Sequence, residues 1–121
     1  MDKEEELFDN AVELIKRHLF HKNNKQIRPN NSFSNLNEQF GNITPQLANS
    51  NQTILEAIEK YIQTSVKTNE SGYMQSLWGG THITGVLGEF LVASTNTSMY
   101  TFDTAPSATV IEKNMISKMI E

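Results

Sequence analysis

Apolar residues recur at helical spacing in four separate stripes, and long polar stretches hold the stripes apart. No other feature constrains the fold as much, because a helix with one apolar face must bury that face against something. Leu7, Phe8, Ala11, Val12, Leu14, Ile15 and Leu19 form the first stripe. Acids fill its first turn and Lys16, Arg17 and His18 its last, so residues 1–20 are expected to form an amphipathic helix. Residues 21–51 are crowded with Asn and Gln, and only Phe33, Leu36 and Phe40 interrupt the polarity, which predicts an extended linker. Ile54, Leu55, Ile58, Tyr61, Ile62 and Val66 rebuild a stripe, capped by Ser50 or Asn51 and ended by Thr68-Asn69.

Residues 71–81 place Gly72, Gly79 and Gly80 around Tyr73, Met74, Leu77 and Trp78, which suits a shaped loop better than a helix or strand. Ile83, Val86, Leu87, Phe90 and Leu91 make the third stripe, with Gly85 and Gly88 on it. A loop over 95–106 follows, and Pro106, preceded by Thr104, is expected to open a fourth helix carrying Ala108, Ile111, Met115 and Met119. That helix runs to Glu121 without the Gly, Asn or Pro that usually codes a stop. There is no internal repeat and no period-two strand, so the expected class is mostly α. A self-contained bundle would use shorter connections.

At 121 residues, with 37% hydrophobic residues and a mean hydropathy of -0.46, the chain points to a weak or shared core. A net charge of -4 argues against nucleic acid and anionic membrane surfaces as partners. Lys16, Arg17, Lys22, Lys25 and Arg28 are a local exception. They read as cations complementing a helix end and entering a solvated linker, with phosphate binding as the other reading. The absence of cysteine excludes disulfides and thiolate chemistry. Acids at the N-terminus are unlike a secretory signal, no stretch is long and apolar enough for a span, and a cytoplasmic protein is expected.

His18, His21 and His82 lack metal-ligand spacing and read as surface residues, so no metal site is expected. Ser71-Gly72 and Gly79-Gly80 are followed by neither a Walker-type Lys-Ser/Thr nor a dinucleotide glycine pattern. Trp78, with Gln75, Ser76 and Thr81 nearby, suits either an apolar pocket with a few polar groups or a core anchor.

Two runs together resemble the group II pyridoxal-phosphate-dependent amino-acid decarboxylases, of the glutamate and cysteine-sulfinate type. Tyr73-Met74-Gln75-Ser76-Leu77-Trp78-Gly79-Gly80 is similar to that family's aromatic-x-Asn-Gln-Leu-x-x-Gly loop. Asn96-Thr97-Ser98-Met99-Tyr100-Thr101-Phe102-Asp103-Thr104-Ala105-Pro106 is similar to its Asn-Thr-Asn/Ser-Met-aromatic-Thr-aromatic-Glu-x-Ala-Pro segment. The likeness covers roughly Ile54 to Glu121 and leaves the first fifty residues matched only in general character. It implies the N-terminal helical segment of a fold-type-I enzyme, α/β when complete, within residues 52–121.

By the same resemblance Gln75, Ser76, Leu77 and Trp78 line the substrate side of the pyridoxal site. Ser98 and Tyr100 close the pocket of the second subunit of a homodimer. Ser76 stands where glutamate-type members carry Gln, which shortens the reach and removes an NH2 donor. The implied substrate is a small L-amino acid, with an acidic side chain as one option.

The resemblance puts the family's parallel sheet, cofactor-stacking His, pyridinium-pairing Asp and Schiff-base Lys beyond this chain. It therefore implies no catalytic or cofactor-binding residue here and no pyridoxal phosphate bound by the chain alone. His21-Lys22 looks like the family's His-Lys pair but precedes both loops, and is read as coincidence. A lyase fragment, inactive and loosely folded by itself, is the expectation; a free-standing helical interaction module is the alternative.

Overall fold

The computed structural model describes residues 2–21, 27–41, 50–74, 77 and 79–121. They form five helices and no strand: α1 (Lys3–Phe20), α2 (Phe33–Phe40), α3 (Asn51–Thr64), α4 (Ile83–Thr95) and α5 (Pro106–Ile120). The chain divides into two compact units, Met1–Gly80 and Thr81–Glu121.

In the first unit α1 packs against α3. The half-buried face of α1 is Leu7, Ala11, Leu14 and His18, at the i, i+4, i+7, i+11 positions of one helix side. It meets a half-buried face on α3 that includes Ile54, Leu55, Ile58 and Ile62. Asn51 Nδ2 donates to the Lys3 carbonyl at 2.7 Å, so the two helices begin side by side. At the other end Arg17 and His18 share a cavity wall with Ile62 and Gln63, so the helices run parallel. Parallel neighbours need a long return segment, because the chain must travel back about 1.5 Å for every residue of helix it has climbed. The polar stretch between α1 and α3 supplies that return.

The return is not wholly extended. Residues 33–40, inside the stretch expected to be an extended linker, fold into the two-turn helix α2. Ser32 caps it, accepting from the Asn35 N–H at 3.1 Å. Tertiary contacts complete it: Lys60 Nζ donates to the Gln39 carbonyl at 3.3 Å and stands 5.4 Å from the Phe40 ring centroid. Asn31 Nδ2 donates to the Thr64 carbonyl at 3.3 Å. A helix of two turns is unstable alone, and these bonds to α3 fix it.

α3 starts as expected, with Ser50 as its cap accepting from the Thr53 N–H at 3.2 Å. Its end is closed by Ser65, whose hydroxyl donates to the Tyr61 carbonyl at 2.7 Å.

In the second unit α4 ends on Asn96 in the left-handed conformation, φ 45°, which Asn tolerates better than most residues. Pro106 occupies the first turn of α5, where its missing N–H costs nothing. Among the described residues only Ala105 is buried, at 2% exposure. Leu87, Phe90, Leu91 and Val92 of α4 and Ile111, Met115, Met119 and Ile120 of α5 all stand exposed. Helices this apolar and this open present faces that the unit itself does not cover.

Candidate functional site

The first candidate loop begins where α3 ends. Lys67 N–H donates to the Ile27 carbonyl at 2.8 Å, Glu70 N–H to the Lys67 carbonyl at 3.3 Å, and Tyr73 N–H to the Glu70 carbonyl at 2.9 Å. Two successive turns thus lead into the glycine-rich run. Gly80 returns so closely that a Cβ there would lie 2.8 Å from the Thr68 carbonyl oxygen. Only glycine permits that approach without a backbone shift. Thr68 and Gly80 thus lie side by side, twelve positions apart in sequence. Met74, 92% exposed, and Leu77, 82% exposed, lie between them in sequence, while Tyr73 is half-buried. Of the substrate-side residues expected from the sequence, Leu77 has this position; Gln75, Ser76 and Trp78 lie outside the described residues.

The second candidate loop joins α4 to α5 and carries Ser98 and Tyr100. Its brace is Thr104. The Thr104 hydroxyl donates to the Ser98 carbonyl at 2.7 Å and accepts from the Thr101 N–H at 3.3 Å, with the Thr101 hydroxyl 3.1 Å away. One hydroxyl thus uses both its donor and its acceptor capacity to close the loop. Thr104 and Ala105 N–H groups also donate to the Thr101 carbonyl, at 3.2 and 3.1 Å. The sequence suggested Thr104 as part of a helix start, but α5 has no side-chain cap and Thr104 serves the loop instead. Ser98 has its carbonyl engaged, whereas the Tyr100 side chain is 90% exposed. Leu77 belongs to the first unit, Ser98 and Tyr100 to the second.

The structure adds a feature that sequence patterning did not single out. Where α1 and α3 end together lies a cavity of about 320 Å³, with Leu14, Leu19 and Ile62 among its apolar walls. Arg17, His18, His21, Glu59, Lys67 and Glu70 bring ionisable groups to it. The basic residues at the end of the first stripe were the visible signal; the rest of the lining arrives from α3 and the segment after it. His18 is half-buried and His21 exposed. No group of three His, Cys, Asp or Glu among the described residues could hold a metal ion.

These residues do not make a site for pyridoxal phosphate. That cofactor needs a lysine, an acid for its ring nitrogen and donors for its phosphate. Lys16 pairs with Glu13 at 3.5 Å on the helix surface, and Lys60 is committed to Gln39 and Phe40. Lys67 does face the cavity, but two helix C-termini converge there, and their dipoles repel a phosphate.

Comparison with known proteins matches the pyridoxal-dependent decarboxylase conserved domain over residues 29–121. An acidic amino acid decarboxylase of Homo sapiens is 31% identical over 68 residues, 56% of this chain and 13% of that protein. A cysteine sulfinic acid decarboxylase of Mus musculus is 31% identical over 70 residues, 58% of this chain and 14% of that protein. The crystal structure of mouse CSAD in apo form superposes with a TM-score of 0.84 at 21% identity, over 94% of this chain and 25% of that one. The match thus spans about an eighth of the curated relatives' length, and the superposition shows that the helical fold is shared.

Proposed function

The chain belongs to the pyridoxal-dependent decarboxylase family, and from that premise we propose that it forms the N-terminal helical portion of an amino-acid carboxy-lyase. The observation that carries this is the 96–106 run. Its motif residues are the ones whose side chains and carbonyls build the loop, with Thr104 bracing Ser98 and leaving Tyr100 exposed. An aromatic side chain standing 90% clear of its own loop suits contact with another surface. We take that surface to be the second subunit of a homodimer, where Ser98 and Tyr100 close its pocket.

The substrate-side residues in this reading are Gln75, Ser76, Leu77 and Trp78, of which Leu77 is described and stands exposed. The substrate is a small L-amino acid; the acidic substrates named for the relatives are the first to test. Pyridoxal phosphate is the family's cofactor, and the residues that line the cavity between α1 and α3 do not fit it. We propose that the chain alone is inactive and takes up no cofactor. No helix among the described residues is long and apolar enough to cross a membrane, and we take the enzyme to be cytoplasmic.

The test is a chimera in which this chain replaces the corresponding quarter of mouse CSAD, assayed for carbon dioxide release from cysteine sulfinate, glutamate and aspartate. Activity with at least one, and none from the chain alone, is expected. A folded, cofactor-loaded chimera inert towards all three would sink the assignment of the loops, and release by the chain alone would sink its inactivity.

A further inference from the structure

The turns that carry the chain from α3 into the glycine-rich run are braced by a residue far earlier in sequence. Ile27 is half-buried and fixed through its backbone, its carbonyl accepting from the Lys67 N–H at 2.8 Å. The same stretch is anchored again where Asn31 Nδ2 donates to the Thr64 carbonyl at 3.3 Å. From that fixed point the Ile27 side chain reaches Gly72: a Cβ added at Gly72 would lie 2.8 Å from Ile27 Cδ1. No described glycine has a positive φ, so backbone conformation does not demand glycine at 72. Space does, because one terminal methyl fills the place a side chain would take. Ile27 also precedes the residues matched to the family's conserved domain, 29–121, so the brace comes from outside that match.

Gly72 stands immediately before the run proposed for the substrate side, and the next N–H, that of Tyr73, closes its turn on the Glu70 carbonyl at 2.9 Å. A methyl packed where the run begins restricts how far the run can swing, and a binding residue is only as well placed as the groups that support it. Resting on the substrate-side assignment of that run, we propose that Ile27 is a positioning residue for the substrate: through Gly72 it sets the position of the run that follows, and so how tightly the enzyme holds its amino acid. An isoleucine that only filled space would change how much protein is folded. It would leave the substrate affinity of the folded enzyme as it was.

The test uses two substitutions that should compensate. Ile27→Val deletes the Cδ1 methyl and nothing else, and Gly72→Ala adds the Cβ that meets it. In the full chain, amide hydrogen exchange at Lys67 and Tyr73 is expected to quicken about two- to tenfold in each single variant and to return to the parent rate in the double variant. In the chimera with mouse CSAD, each single variant should raise KM by a similar factor with kcat and pyridoxal phosphate content unchanged, and the double variant should restore KM. Additive effects in the double variant would overturn the proposal. So would unprotected Lys67 and Tyr73 amides in the parent chain, or an active chimera whose KM does not move. A folded, cofactor-loaded parent chimera that is inert, beside compensating exchange in the full chain, would instead refute the substrate-side assignment and, with it, the role of Ile27 in binding.

Discussion

Replacing Lys60 by Met removes the charge that fastens α2 to α3 while keeping a side chain of similar length on the helix. Two interactions are lost together: the bond from Nζ to the Gln39 carbonyl at 3.3 Å and the approach to the Phe40 ring at 5.4 Å. A hydrogen bond from a charged donor contributes about 1.5–3 kcal/mol, but this one is long and only part-buried, so the lower end or less applies. A cation over an aromatic ring at a partly wet site adds about 0.5–1 kcal/mol. After the entropy of holding a lysine in one conformation, roughly 1–2 kcal/mol remains for the docking of α2. That is a five- to thirtyfold change in how often α2 detaches. Amide hydrogen exchange reads it directly. The Gly41 N–H, bonded to the Asn37 carbonyl at 2.7 Å, and the Leu36 N–H, bonded to the Ser32 carbonyl at 3.1 Å, should exchange faster by that factor. Amides in the middle of α1 should not change. If α2 amides keep their rates in Lys60→Met, α2 is held by something other than Lys60 and the account of why it folds is wrong. A double-mutant cycle with Phe40→Leu isolates the ring contribution, expected at below about 1 kcal/mol.

Two other substitutions probe the loops. Gly80→Ala puts a Cβ 2.8 Å from the Thr68 carbonyl oxygen, so the loop ends must separate, at about 1–3 kcal/mol, seen as faster exchange at the Tyr73 N–H. Thr104→Val keeps the shape but deletes the hydroxyl shared by Ser98 and Thr101, and should loosen the α4–α5 loop by about 1–2 kcal/mol. Raised exchange at the Thr101 and Ala105 amides, with the middle of α4 unchanged, is the expected sign; uniform protection would show that the backbone turn suffices.

Four helices were legible because each carries its own stripe, and a stripe is a local signal. α1 extends to Lys3, beyond the stripe's start at Leu7, since its acidic first turn needs only the dipole to be helical. α4 reaches Thr95, whose hydroxyl returns to the Leu91 carbonyl at 2.9 Å, past the last residue of its stripe. α2 was not legible: Phe33, Leu36 and Phe40 are too few to declare a helix, and Lys60 and Asn31 make its decisive contacts with or within distant segments. The 96–106 motif marked a loop, yet the role of Thr104 inside it depends on which carbonyl the folded turn brings near. The cavity was least visible, because Arg17 and Lys67 meet only once the parallel pairing of α1 and α3 has formed.

The exposed apolar surface has a chemical side as well. Met74, Met99, Met115 and Met119 are each at least half exposed, and the chain has no cysteine to react in their place. Oxidants that reach this surface would therefore act on thioethers, turning each into a polar, chiral sulfoxide. On α5, where Met115 and Met119 are one helical turn apart, two such events would place a pair of strong dipoles in the middle of a hydrocarbon face. Any surface that fits that face in its reduced form would fit it poorly afterwards, and reductases specific for the sulfoxide would restore the fit.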